Sequence, residues 1–360
     1  MKKIILCIAL ICIPLKVSAI SAASSIAMDL TSGRIMHANN IDEPRLIAST
    51  TKIMTAIIAI ENGQLDEMVT VKEEVLKAYG SAIYIEVGEE LTLKDLLYGL
   101  MLRSGNDAAI VIASHIAGNM EDFAKLMNEK ASRIGMKNTH FYNAHGLEEK
   151  DGNGNTSSAY DMALLTKYAM ENDAFREIFG TKKHIVKTNY KTYSWTNKNK
   201  LLHNYEYTTG GKTGFTEKAR RTLVTTASKD NIDIVVVTLN DPNDFYDHKS
   251  LYEDIFSKYK AQLVLDKDHF EIKNETKYQE DTLYIKKSVY IPITNDEKED
   301  LEIKYELLQN NKYQNDDVVG SAKIYLKDKL LCEEKIYVIK QSEEEDLSWW
   351  QKIIRWFKKW

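Results

Sequence analysis

Cysteine is nearly missing from this chain. Its 360 residues hold three, and two of them, Cys7 and Cys12, stand close to the start. If the leader described below is removed, Cys332 alone remains and no internal disulfide can form. There is no Cys-x-x-Cys, and the eight histidines are scattered without a close pair at ligand spacing. The sequence therefore calls for no metal and no other cofactor. Charge of one sign is also lacking: the net charge of -5 is mild and argues against nucleic acid as a partner. No internal repeat is evident.

Long hydrophobic runs are absent too. The apolar stretch Ile4 to Leu15 falls short of the roughly 20 residues of a membrane span, and Lys16 closes it. With Lys2 and Lys3 before it and Val17-Ser18-Ala19 after it, it reads as a leader over 1–19 cut after Ala19, so the chain is expected to be exported. The length exceeds one typical domain, and a hydrophobic fraction of 44% suffices for a real core.

From Ser24 to about Lys260, strand-like and helix-like patterns alternate. Ser25 to Leu30 and Ile35 to Ala38 read as strands about a turn, and Thr222 to Ala227 and Ile232 to Leu239 as central strands. Helices are predicted over Thr92 to Leu102, Asn106 to Ala117, Glu121 to Ile134, 158 to 179 and Tyr246 to Tyr259. Strands at both ends with helices between predict an α/β domain over 20–261, a mixed sheet flanked by helices. The short strand-like runs that follow predict a small all-β domain over 262–341. As a helix, 346–360 would put Trp349, Trp350, Ile353, Ile354, Trp356, Phe357 and Trp360 on one face, and Lys352, Arg355, Lys358 and Lys359 on the other. Such a helix suits lying in an anionic membrane surface.

Three short motifs carry the chemistry, in one order: Ser49-Thr50-Thr51-Lys52, Ser104-Gly105-Asn106 and Lys212-Thr213-Gly214. A serine hydroxyl is a poor nucleophile unless a neighbouring base takes its proton, and a lysine serves if burial or another cation lowers its pKa. Polar residues followed by an apolar run place Ser49 at the start of a buried helix, with Lys52 on the same face. A second Ser-x-x-Lys, Ser257 to Lys260, lies in a polar stretch without partner motifs and reads as a solvated helix end.

This ordered set resembles the low-molecular-mass penicillin-binding proteins that act as serine-type D-Ala-D-Ala carboxypeptidases. The likeness extends to Asn143-Ala144-His145-Gly146-Leu147, Ser158-Ala159-Tyr160-Asp161, Asn197 to Leu202, and Gly210-Gly211 before Lys212. The resemblance implies that Ser49 attacks the carbonyl between two terminal D-alanines of a peptidoglycan stem peptide. Lys52 accepts its proton, and Ser104 relays a proton to the leaving amine. Asn106 positions Lys52 and the substrate amide, Lys212 and Thr213 meet the terminal carboxylate, and Gly214 lets the substrate lie close. Backbone N–H groups of Ser49 and Phe215 hold the oxyanion. β-Lactams would acylate Ser49 as substrate mimics. The implied location is the outer face of the cytoplasmic membrane, held by the terminal helix. His145 and Asp161 are read as structural.

Two departures from the family pattern stand out. Arg220 follows Ala219 where relatives carry glycine, and Asp244 lies near Phe245 where many carry a carboxylate-binding arginine. Three readings compete with the carboxypeptidase: a catalytically silent wall-binding protein, a transpeptidase, and a class A β-lactamase using Glu149 of Glu149 to Asn153.

Overall fold

The structure is a computed structural model that describes residues 20–149, 152–273, 277–279, 281–308 and 312–340. The expected leader at 1–19 and terminal helix at 346–360 lie outside the described residues.

A five-stranded sheet organises the first part of the chain. Across the sheet the strands run Ile35–Asn39, Ser24–Asp29, Ile232–Leu239, Arg220–Lys229 and Thr208–Thr216. Every pairing is antiparallel, which corrects the expected mixture of directions. Three of the four pairs are hairpins, joined by turns too short for a parallel crossover. The strand Ile232–Leu239 is apolar almost throughout because both of its faces are covered. Val235, Val237 and Leu239 join one core cluster and Ile234 and Val236 another, as a two-residue side-chain period requires.

Between Asn39 and Thr208 the chain leaves the sheet and builds helices α1 (Lys52–Asn62), α2 (Leu93–Arg103), α3 (Asn106–Ala117), α4 (Met120–Ile134), α5 (Ala159–Ala169), α6 (Asp173–Gly180) and the single turn α7 (Leu201–Asn204). Helix α8 (Asp244–Lys258) returns to cover the sheet's other face. Several starts are written in the sequence. The hydroxyls of Thr92 and Ser158 accept the N–H of Asp95 and Asp161 at 3.0 and 3.1 Å, satisfying donors that a helix leaves open. The helix expected over 158–179 is two helices, because Asn172 caps a new one by accepting the N–H of Phe175 at 3.1 Å. Ser257 is exposed in the last turn of α8, as expected.

After Tyr259 the chain is β-rich. Lys260–Leu265 pairs with Val289–Ile293, and a four-stranded sheet orders Thr282–Tyr284, Lys329–Ile339, Val318–Leu326 and Leu301–Leu307 around its own apolar cluster. Arg34 ties this part to the first, 2.6 Å from both the Glu297 carboxylate and the Pro292 carbonyl.

Candidate active site

The three motifs converge where the open edge of the sheet meets the helical insertion. Ser49 lies in a 3-10 turn, Ala48–Thr51, that runs straight into α1. With three residues per turn, such a helix stacks i over i+3. Lys52 Nζ is accordingly 3.1 Å from Ser49 Oγ. It also donates to Asn106 Oδ1 at 2.7 Å and to the His145 carbonyl at 2.6 Å.

This environment decides the protonation of Lys52. The side chain is fully buried, at 0% exposure. Desolvation first, then the charges of Lys212 and Lys198, hold its pKa well below the ordinary lysine value. A neutral amine has two N–H bonds and one lone pair. The amide oxygen of Asn106 and the carbonyl of His145 can only accept, so they take the two hydrogens. In that form the lone pair faces the Ser49 hydroxyl, a geometry in which Ser49 can donate to Lys52.

Asn106 is itself fixed from both sides. At the start of α3 its N–H donates to the Ser81 carbonyl at 2.8 Å, and its Nδ2 donates to the Tyr79 carbonyl at 2.6 Å. That leaves Oδ1 to face Lys52. Ser104, buried two residues earlier, caps α2 in the left-handed conformation at φ 64° and turns the chain into α3. His145 stays neutral, its pKa lowered to about 3 by burial and then by Lys52, and its Nδ1 accepts the N–H of Leu147. Next to it, a Cβ on Gly146 would come within 2.0 Å of the Ala48 carbonyl oxygen. Glycine there lets the Asn143 to Leu147 loop close on the serine turn.

Lys212, Thr213, Gly214 and Phe215 lie on Thr208–Thr216, the sheet's edge strand. A Cβ on Gly214 would sit 3.0 Å from the backbone nitrogen of Ser49, so strand and serine turn are in contact. Thr222, across from Gly214, donates its hydroxyl to the Ile47 carbonyl at 3.0 Å and locks that contact. Among the described residues the outer edge of this strand has no ladder partner, and its backbone groups can pair with an extended peptide. Lys212 is 1% exposed, its Nζ donates to the Thr213 carbonyl at 2.7 Å, and burial followed by Lys198 lowers its pKa to about 7. Phe215 is 58% exposed at the mouth.

Three further residues shape the site and were given no role in it from the sequence. Lys198 sits beside Ser81 Oγ at 3.3 Å, with its pKa lowered by burial and Arg103; it lies in the Asn197 to Leu202 stretch of the family likeness, where no role was read for it. Asp107 accepts the N–H groups of Ile83, Tyr84 and Ala108 at 3.0, 2.7 and 2.9 Å, fixing the loop that carries the Asn106 acceptors. Arg221, opposite Phe215 in the ladder, is gripped at 2.7 Å by the buried Asp244 carboxylate and lies over the Phe245 ring. Asp161 sits in the first turn of α5 and accepts from the Asn138 N–H and the Thr139 hydroxyl. Glu149 is exposed and accepts from Asn143 at 2.7 Å. Among the described residues no hydrogen bond joins Glu149 to Ser49 or Lys52, and none of their acidic, histidine and cysteine groups forms a metal cluster.

The sequence profile of the D-alanyl-D-alanine carboxypeptidase family matches residues 13–243. That of the penicillin-binding protein 5 C-terminal domain matches 259–344. The chain is 36% identical over 222 residues to the D-alanyl-D-alanine carboxypeptidase DacF of Bacillus subtilis, across 60% of this chain and 56% of that one. It thus spans little more than half the length of that relative. With the D-alanyl-D-alanine carboxypeptidase DacA of Escherichia coli it shares 28% identity over 375 residues, across 95% of this chain and 88% of the relative. The crystal structure of penicillin binding protein 5 from Haemophilus influenzae matches with a TM-score of 0.70 and 26% identity, over 89% of this chain and 97% of that one.

Proposed function

The chain belongs to the D-alanyl-D-alanine carboxypeptidase family, and from that premise we propose that it removes the terminal D-alanine of peptidoglycan stem peptides through an acyl-enzyme on Ser49. One observation carries the reading. A buried lysine of depressed pKa has two obligate acceptors for its hydrogens and the serine hydroxyl for its lone pair.

The reaction then runs as follows. Lys52 takes the Ser49 proton as Oγ attacks the carbonyl between the last two D-alanines, and the backbone N–H groups of Ser49 and Phe215 receive the oxyanion. The peptide C–N bond breaks, Ser104 relays the proton to the departing amine, and D-alanine leaves. Water cleaves the ester and returns the proton to Ser49. Asn106 holds Lys52 and the substrate amide. Lys212 and Thr213 receive the terminal carboxylate beside Gly214, where no side chain blocks the strand. Arg221, held by Asp244, supplies the second cation that the carboxylate needs. A β-lactam enters the same path and stays as the ester. No cofactor takes part.

The same reading places a leader at 1–19, the catalytic domain at 20–261, a β-rich domain at 262–341, and a membrane-surface helix at 346–360. It puts the exported chain on the outer face of the cytoplasmic membrane. Among the described residues no helix is long and apolar enough to cross a membrane. D-alanine release from a peptide ending in D-Ala-D-Ala tests the activity, with Ser49→Ala as the control. Release that vanishes in the variant is the expected result, and release that survives overturns the nucleophile. Binding to anionic vesicles that persists after truncation at Glu345 would overturn the anchor.

A further inference from the structure

Away from the catalytic cleft, the first described residues meet the start of α8 over two buried carboxylates, Asp241 and Asp247, exposed by 0% and 2%. The Ser21 hydroxyl lies 2.8 Å from Asp241 Oδ1 and 2.7 Å from Asp247 Oδ2, and the Ser21 N–H donates to the latter at 2.6 Å. One hydroxyl hydrogen cannot serve both acids. Asp241 Oδ1 also accepts the Asn243 N–H at 3.0 Å, and among the described residues the buried Oδ2 has no hydrogen-bond partner. The charged neighbours do not supply the missing cation. Arg221 is paired with Asp244. The ring nitrogens of His248 are taken by the hydroxyls of Thr225 and Thr238, and burial keeps that ring neutral, its pKa lowered to about 3. Burial, with Asp247 adding to it, raises the pKa of Asp241 to about 6. Two buried acids side by side are costly without a proton or a cation between them.

Ile20 is the neighbour of Ser21, whose N–H is on Asp247 Oδ2, and one residue of chain keeps its nitrogen within about 6 Å of that oxygen. Its partly buried side chain packs against the core cluster formed by the sheet and α8, which ties the start of the described chain to this corner. We infer that Asp241 and Asp247 form a docking site for an ammonium group, whose occupant is the chain's own α-amino group, created at Ile20 when the leader is cut after Ala19. The inference rests on the leader removal in the reading above. Hydrolysis of the Ala19–Ile20 peptide bond by a leader peptidase, with water as the second reactant, turns a neutral amide into a cation where the fold has an excess of negative charge. The docked group braces the corner that carries Asp244. There the Asp241 N–H also donates to the Arg221 carbonyl at 3.0 Å.

The test uses the chain 20–360, prepared with either a free or an acetylated α-amino group. The free amine is expected to raise Tm by about 3–8 °C. That gap should shrink to a third or less in Asp241→Asn and in Asp247→Asn, each compared within its own background. Equal Tm values for the two forms, or a gap that survives both substitutions, would overturn the inference. If the variants do not fold, reactivity of the α-amine toward an acylating reagent decides: docking raises its pKa at least one unit above the usual ~8, and an ordinary value refutes it. Sequencing the exported chain from its N-terminus should give Ile20, and another start refutes the site's occupant. None of these readouts involves D-alanine release, so the docking site and the proposed activity stand or fall separately.

Discussion

Asn106→Asp replaces one atom group at the point where the base is tuned. One carboxylate oxygen would keep the place of Asn106 Oδ1, 2.7 Å from Lys52 Nζ, and the new one would take the place of Nδ2. A unit charge at that distance is worth about 6 kcal/mol at an effective dielectric of about 20. Burying the carboxylate, and turning an acceptor toward the Tyr79 carbonyl 2.6 Å from the present Nδ2, takes back roughly half of it. About 3 kcal/mol remains, or about two pKa units of added basicity at Lys52. Below its pKa, the neutral fraction of Lys52 then falls about 100-fold. The assay is the rate constant for acylation by a fluorescent penicillin between pH 5.5 and 9.5. The acid limb should move up about two units, the rate on that limb should fall about 100-fold, and much of the rate should return at high pH. A rate within about fivefold of the native chain with an unmoved limb would refute the lone-pair argument. A rate equally low at every pH would refute it too, because Asn106 would then act on the substrate alone.

Lys198→Met removes a cation that lowers the pKa of both Lys52 and Lys212, so the acid limb of the same profile should move up by about half a unit to one unit. Gly214→Ala puts a methyl group 3.0 Å from the Ser49 nitrogen and 2.3 Å from Thr222 Oγ1; penicillin labelling should fall at least about 30-fold while urea denaturation shows a loss of about 1–3 kcal/mol. His248→Gln isolates a buried neutral histidine. With a folded pKa of about 3, depressed below the unfolded value, the unfolded chain binds the extra proton between those limits. The stability gap between native and variant chains, measured in urea, should therefore close by about 1.4 kcal/mol for each pH unit lost below about 6.

Much of this site can be read from sequence because its chemistry is local. Ser49 and Lys52 are three apart, so the helical repeat alone brings them together, and Asn106 follows Ser104 across a turn that starts a helix. Helices with side-chain caps, such as Thr92 before α2, were legible for the same reason. What was not legible depends on long-range placement. Lys198 lies in a stretch that the resemblance covers, yet its own part in the site comes only from Lys212 and Ser81 lying nearby in space. The hairpin Lys183–Lys187 with Thr192–Thr196 carried a signal that went unread, since Tyr193 and Trp195 alternate with polar residues and are buried. The break between α5 and α6 needed Asn172 to be recognised as a cap inside a helical pattern.

The two departures from the family pattern resolve into one local solution. Arg220 stands where glycine is usual and adopts φ 59°, the left-handed backbone that glycine favours, at a cost of about 1–2 kcal/mol. Its side chain is exposed, so the strain is in the backbone and not in packing. The next residue, Arg221, points to Asp244, whose carboxylate also accepts the N–H of Phe245 at 2.8 Å. A buried acid needs such partners, and meeting that need holds the guanidinium over the Phe245 ring while 43% of the side chain stays exposed. The acid that stands where an arginine is expected on α8 instead holds one on the neighbouring strand, the cation that the proposed reading gives to the substrate carboxylate. Asp244→Asn should therefore raise KM for a D-Ala-D-Ala peptide with little change in kcat, and so should Arg221→Ala, because each loosens the same cation. A fall in kcat alone would place Arg221 outside the substrate's binding site.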